Sequence, residues 1–216
     1  MSSLGAAQTG TARVGATRHI ACVGSLVMLW RSARGFSILE LMLVVSIIGI
    51  VSSISVVQIG NALPGMKSDG AMRVVMSQLN TARNLAVAQR RYMRVTFLQP
   101  SQIQIVRVEV NSSGTVTGTT TLSTVAFEGG VTYNKFSGLI DTPDALGMAS
   151  AVDFGTATTI QFATDGSLVD QGGSPLNGTI VLANANNKTS SRAITVLGST
   201  GHIRAYKWNG TAWTLV

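Results

Sequence analysis

Between Phe36 and Ile59 the sequence reads FSILELMLVVSIIGIVSSISVVQI, an apolar run with one charge, Glu40, and no proline. A helix needs about 20 mostly apolar residues to cross the hydrocarbon core of a bilayer, so this stretch is long enough to span with some tilt. Arg31 and Arg34 stand just before it, and the first charges beyond it are Lys67 and Asp69. The positive-inside bias therefore puts the N-terminus in the cytoplasm and everything after Ile59 across the membrane. A cleaved secretory signal would have an apolar region of about 7–15 residues ending in small side chains, and this run is too long. A plain single-span anchor is the competing reading. Against it stands Glu40, because a carboxylate inside a lipid-facing helix costs about 3 kcal/mol on insertion scales. No lysine or arginine within the span offsets it, so the compensating charge must come from elsewhere.

Composition narrows the remainder. Hydrophobic residues make up 45% and charged residues only 12%, against about a quarter in ordinary soluble domains, which excludes a disordered chain. The net charge of +7 is unevenly placed: residues 1–35 hold Arg13, Arg18, Arg31 and Arg34 and no acid. After Asp170 no acidic residue occurs, while Lys188, Arg192, Arg204 and Lys207 follow. The C-terminal segment is therefore weakly basic, a candidate anion-facing surface. Cys22 is the only cysteine, which excludes an intrachain disulfide and a cysteine zinc site.

The material for catalysis is thin. Asp165, Ser167 and His202 can be drawn as a triad, but Asp-Gly-Ser reads as a turn. Asp141, Asp144 and Asp153 can be drawn as a calcium site, but their spacing is not that of an EF-hand, and they read as solvated loop carboxylates. No enzyme, metal or cofactor is expected.

Past the apolar run, Gly60, Asn61, Pro64, Gly65, Asp69 and Gly70 should break or kink the helix. A second helix is expected over 71–91, where Met72, Val75, Met76, Leu79, Ala82 and Ala86 recur at three- and four-residue spacing and form one core-facing stripe. From Tyr92 the pattern turns to strands. Tyr92–Leu98 and Ile103–Val110 read as a hairpin, followed by Thr115–Phe127, Val131–Phe136, Thr158–Ala163, Gly178–Ala183, Arg192–Leu197 and His202–Trp208. Residues 137–157 and 165–177 read as irregular loops. The expected class is α+β: a long N-terminal hydrophobic helix, kinked, then a second amphipathic helix and an antiparallel sheet domain.

Gly35-Phe36-Ser37-Ile38-Leu39-Glu40-Leu41 with the apolar run behind it resembles the processing motif of type IV prepilins and type II secretion pseudopilins. The resemblance implies cleavage by a membrane prepilin peptidase between Gly35 and Phe36, methylation of the new amine on Phe36, and assembly through Glu40. It divides the chain into a leader over 1–35, a membrane and filament-core helix over 36–60, and an exported part over 61–216. Leaders of this family are short and basic, so Met28, which opens MLWRSARG, is the expected start, with residues 1–27 an extension.

The exported part carries a second resemblance. Thr81 to Arg91, Phe162 to Ser167, Gly178 to Leu182, Arg192 to Val196 and Gly201 to Arg204 are similar to blocks of the GspH/FimT family of minor pseudopilins and minor pilins. The implied function is a minor pseudopilin of a type II secretion pseudopilus, anchored once in the bacterial inner membrane with its C-terminal domain periplasmic, and partnered by other pilin or pseudopilin subunits. The alternative is a FimT-like minor pilin that binds DNA for uptake through a Gly-Arg-x-Arg motif. Here that run is Gly201-His202-Ile203-Arg204, with histidine in place of the first arginine, which leaves His202, Arg204 and Lys207 as candidate DNA contacts. A neutral histidine supplies no phosphate charge at pH 7. Alternation along the strand puts His202, Arg204 and Tyr206 on one face.

Overall fold

The computed structural model describes residues 35–113, 115–157 and 159–216; for residues 56–58 and 61 it describes the backbone alone. Its first element is a helix of 52 residues, α1, Ile38–Gln89. The apolar and the amphipathic segments follow each other as expected, but no break separates them: α1 continues through Pro64. Proline removes one N–H from the ladder, and contacts further along hold the backbone there. Ser68 is fully buried, and the Gly65 carbonyl accepts from the Arg192 guanidinium at 3.2 Å.

The second part of α1 buries the expected stripe. Met72, Val75, Leu79, Ala82 and Ala86 are between 0% and 2% exposed, and Ala71 beside them is buried as well. Each large apolar side chain so buried contributes on the order of 2 kcal/mol. Met76, the remaining member, is only partly buried and packs at the margin of the same core.

The strands form two antiparallel sheets rather than one. They are β1 Met93–Leu98, β2 Gln102–Val110, β3 Val116–Ala126, β4 Val131–Tyr133, β5 Val152–Asp153, β6 Ile160–Phe162, β7 Leu168–Val169, β8 Gly178–Asn184, β9 Arg192–Leu197, β10 His202–Trp208 and β11 Trp213–Leu215. The first sheet has the order β3-β2-β1-β6-β7; the second runs β11-β10-β9-β8-β4, with β5 also paired to β8. The expected hairpin is present, with Val95 opposite Ile105. Inward residues of both sheets, among them Val95, Ile103, Ile105, Phe162, Ile180, Leu182, Ile194 and Ala205, meet the helix stripe in a single core.

The segments expected as irregular loops over 137–157 and 165–177 each contain a short strand, β5 and β7, and the irregular part before β5 is packed. Leu139 and Met148 join Val181, Ala193, Tyr206, Trp208 and Trp213 in a smaller core on the opposite side of the second sheet. The Trp213 indole N–H donates to the Ile140 carbonyl at 2.8 Å.

Candidate functional site

The N-terminal constellation is built on the first turn of α1. Ser37 opens the helix, its carbonyl accepting from the Leu41 N–H at 3.1 Å. Glu40 sits one turn in and is exposed. A carboxylate there complements the positive end of the helix dipole. Phe36 is 77% exposed, and the large apolar residues that follow, from Ile38 to Ile54, are exposed around the whole circumference. The segment Ile38–Ser55 is long and apolar enough, by length and composition, to cross a membrane. Its serines suit such surroundings: the Ser53 hydroxyl donates to the Ile50 carbonyl at 2.7 Å and the Ser55 hydroxyl to the Val51 carbonyl at 2.9 Å. Bonding back to the helix satisfies a polar atom that lipid would leave unpaired. The expected leader, with Arg31, Arg34 and the proposed start at Met28, lies outside the described residues.

The second candidate constellation lies on β10. His202, Arg204 and Tyr206 share one face, as the alternation predicts, while Ile203 and Ala205 point to the main core. Lys207 falls on the face opposite to His202 and Arg204 and is exposed. Arg204 does not stand free. It pairs with Asp144 at 2.5 Å, and the other oxygen of that carboxylate accepts from the Thr195 hydroxyl at 2.6 Å. Burial pushes the Asp144 carboxyl up, but hydrogen bonds from Thr195, Tyr206 and Arg204 outweigh it and hold the group below its ordinary value. Its bond to Asp144 raises the Arg204 guanidinium, and burial raises the Tyr206 phenol. Asp144, Thr195 and Arg204, with Leu146 and His202, line a small cleft of about 100 Å³. The cluster ties the loop bearing Asp144 to the outer face of the second sheet.

Other basic residues of the C-terminal segment are similarly engaged. The Lys188 ammonium donates to the Gly138 carbonyl at 3.1 Å and lies 5.9 Å from the centre of the Trp208 ring. Arg192 is fully buried, paired with Asp69 and bonded to the carbonyls of Gly65, Thr189 and Ser191. Sequence reasoning missed this clamp between β9 and α1. Its signal was an arginine opening an otherwise apolar strand, with no acid anywhere after Asp170 to answer it.

Arg83 forms a second tie from the helix, donating to the carbonyls of Gly166 at 3.2 Å and Thr200 at 2.9 Å. It joins two hairpin turns that approach so closely that a Cβ at Gly201 would lie 2.2 Å from the Gly166 oxygen. With φ at +61° as well, only glycine fits there.

Of the residues drawn as a triad or a calcium site, Asp165, Asp141 and Asp153 have local partners, whereas Asp144 is held by Arg204 and Thr195. Asp165 accepts from the Ser167 N–H at 2.9 Å and hydroxyl at 2.6 Å, closing its turn, and those bonds hold its carboxyl below the ordinary value. Asp141 caps the N–H groups of Thr142 and Gly147, and Asp153 those of Ala149 and Gly155. Among the described residues, no three potential ligands from histidine, cysteine, aspartate or glutamate gather in one place.

With this geometry in view, residues 30–56 match the prokaryotic N-terminal methylation motif. No curated protein matches the chain. Two crystal forms of the type IV minor pilin FimU from Pseudomonas aeruginosa are similar to it. One is 20% identical, over 62% of this chain and 84% of that one, with a TM-score of 0.40. The other is 18% identical, over 63% and 90%, with a TM-score of 0.41. The motif at residues 30–56 includes Gly35, Phe36 and Glu40, and an α+β domain follows it in the same chain.

Proposed function

We propose that this chain is a type IV pilin-like minor subunit of a type II secretion pseudopilus, and that its role is structural rather than catalytic. Prepilin peptidase cuts between Gly35 and Phe36 and the new amine of Phe36 is methylated. The apolar part of α1 first anchors the chain once in the inner membrane, with the β-rich domain periplasmic, and then enters the filament core. There Glu40 meets the N-terminal amine of a neighbouring subunit. Each ion is badly solvated alone in an apolar bundle, and together they fix the axial register between subunits.

The observation that carries this reading is the exposure of the apolar side chains around α1 from Ile38 to Ile54, with one carboxylate in the first turn. Lipid alone would cover the apolar surface but would not answer the charge. The FimT-like alternative, DNA uptake through His202, Arg204 and Lys207, has an Arg204 whose charge is already answered by Asp144, and Lys207 lies on the other face of the strand. The secretion reading asks nothing of these residues.

The test is incorporation. In cells carrying the rest of the assembly apparatus, the wild-type chain should appear in sheared filaments and the Glu40→Ala chain should remain in the membrane. A wild-type chain absent from filaments, or a Glu40→Ala chain that enters equally well, overturns the proposal.

A further inference from the structure

Most arginines of the domain have an identifiable partner. Arg91 and Arg107 bind Glu109, Arg192 binds Asp69, Arg204 binds Asp144, and Arg83 binds two carbonyls. Arg73 and Arg90 are exposed to solvent. Arg94 fits neither group. It lies on β1 between Met93 and Val95, both buried against the helix, so its side chain leaves on the outer face of the first sheet. It is only partly exposed, and its Nε is shielded from solvent with no acceptor among the described residues. A buried donor left unpaired costs about 1–3 kcal/mol, more when it belongs to an ion. Two clefts adjoin this one guanidinium: one of about 440 Å³ with Thr96, Gln99, Ser150 and Thr159 on its wall, and one of about 210 Å³ with Tyr92 and Gln161.

We propose that Arg94 anchors a carboxylate-binding site on this outer face. A guanidinium presents a flat fork of donors that matches a carboxylate in two parallel hydrogen bonds. The charge balance favours a single negative charge over a phosphate dianion. Asp153 stands on the wall of the larger cleft with its oxygens already bonded to backbone N–H groups, so a dianion would meet one cation and one fixed carboxylate. The hydroxyls and amides of the wall can take up the lone pairs that Arg94 leaves unmet. The ligand is then an acidic side chain or chain end of another protein, or a small free carboxylate. The site belongs to the folded domain and does not rest on the filament reading.

The experiment is a titration of the full-length, ¹⁵N-arginine-labelled chain in detergent with sodium acetate, set against sodium chloride at equal ionic strength. The Nε–H signal of Arg94, identified by its loss in Arg94→Lys, should shift saturably with acetate and not with chloride. If the variant folds poorly, triple-resonance assignment of a uniformly ¹³C,¹⁵N-labelled wild-type chain links the Nε–H signal to Arg94 instead. A photo-crosslinker at Thr96 in cells separates the sources. Capture of a peptide bearing an acidic residue or a chain end assigns a protein carboxylate; acetate binding without capture assigns a small free one. An equal response to acetate and chloride overturns the site, whatever is captured.

Discussion

The two parts of α1 share a backbone and meet opposite conditions. Early in the helix, large apolar side chains are exposed on every side, with Ile38 at 80% and Ile47 at 52%, and their spacing has no period. From Met72 to Ala86 apolar residues return every third or fourth position, and Met72, Val75, Leu79, Ala82 and Ala86 are almost wholly buried. A periodic stripe finds its cover within its own chain. An apolar surface without period has nothing in its own domain to pack on, and its cover must be lipid or other helices. The same residue types therefore stabilise the fold in one part and set the surroundings of the chain in the other.

The largest effect that tests this contrast is Leu79→Ala, which removes a fully buried side chain and should cost about 2–5 kcal/mol. It is read by denaturant unfolding of the full chain in detergent, followed by tryptophan fluorescence. Ile47→Ala should stay within about 0.5 kcal/mol in the same assay. Equal losses would erase the distinction between the two parts.

Next in size is Asp69→Ala. It strands the buried Arg192 guanidinium and should cost about 3 kcal/mol, with Asp69→Asn milder because an acceptor remains. Wild-type stability in Asp69→Ala would show that the Arg192 clamp does not secure this part of the helix.

The smallest effect sits on β10, where Arg204 is half exposed. Arg204→Ala should cost less than about 1 kcal/mol. The Asp144 carboxyl is held below its ordinary value in the folded chain. Its contribution is therefore fully present above the ordinary unfolded value, about 3.9, and is lost as pH falls through the lowered folded value. Acid unfolding of the wild type should be steeper in that window than that of Arg204→Ala. A steeper variant would reverse the sign of this assignment.

What the sequence made legible follows the reach of each signal. The stripe from Met72 to Ala86 and the β1–β2 hairpin are local patterns, and both stand in the structure. Of the break or kink expected between Gly60 and Gly70, no break appears: α1 runs on through Pro64, and the Arg192 guanidinium, from far along the chain, bonds the Gly65 carbonyl there. The division into two sheets was likewise not readable: β6 joins β1 and β7 joins β6, whereas β4 joins β8, and no turn sequence encodes such partners. Asp144 looked like a solvated loop carboxylate because its partner Arg204 is 60 positions away. The short strands β5, β7 and β11 carry too few residues to show alternation.

The central claim is that the apolar start of α1 becomes the mature N-terminus of a filament subunit. Mass spectrometry of the chain extracted from membranes, with and without an active prepilin peptidase, tests it most directly. With the peptidase, the chain should begin at Phe36 and carry one added methyl group on its amine; without it, the residues before Phe36 should remain attached. A chain that keeps Gly35 and the residues before it in the presence of an active peptidase would contradict the account.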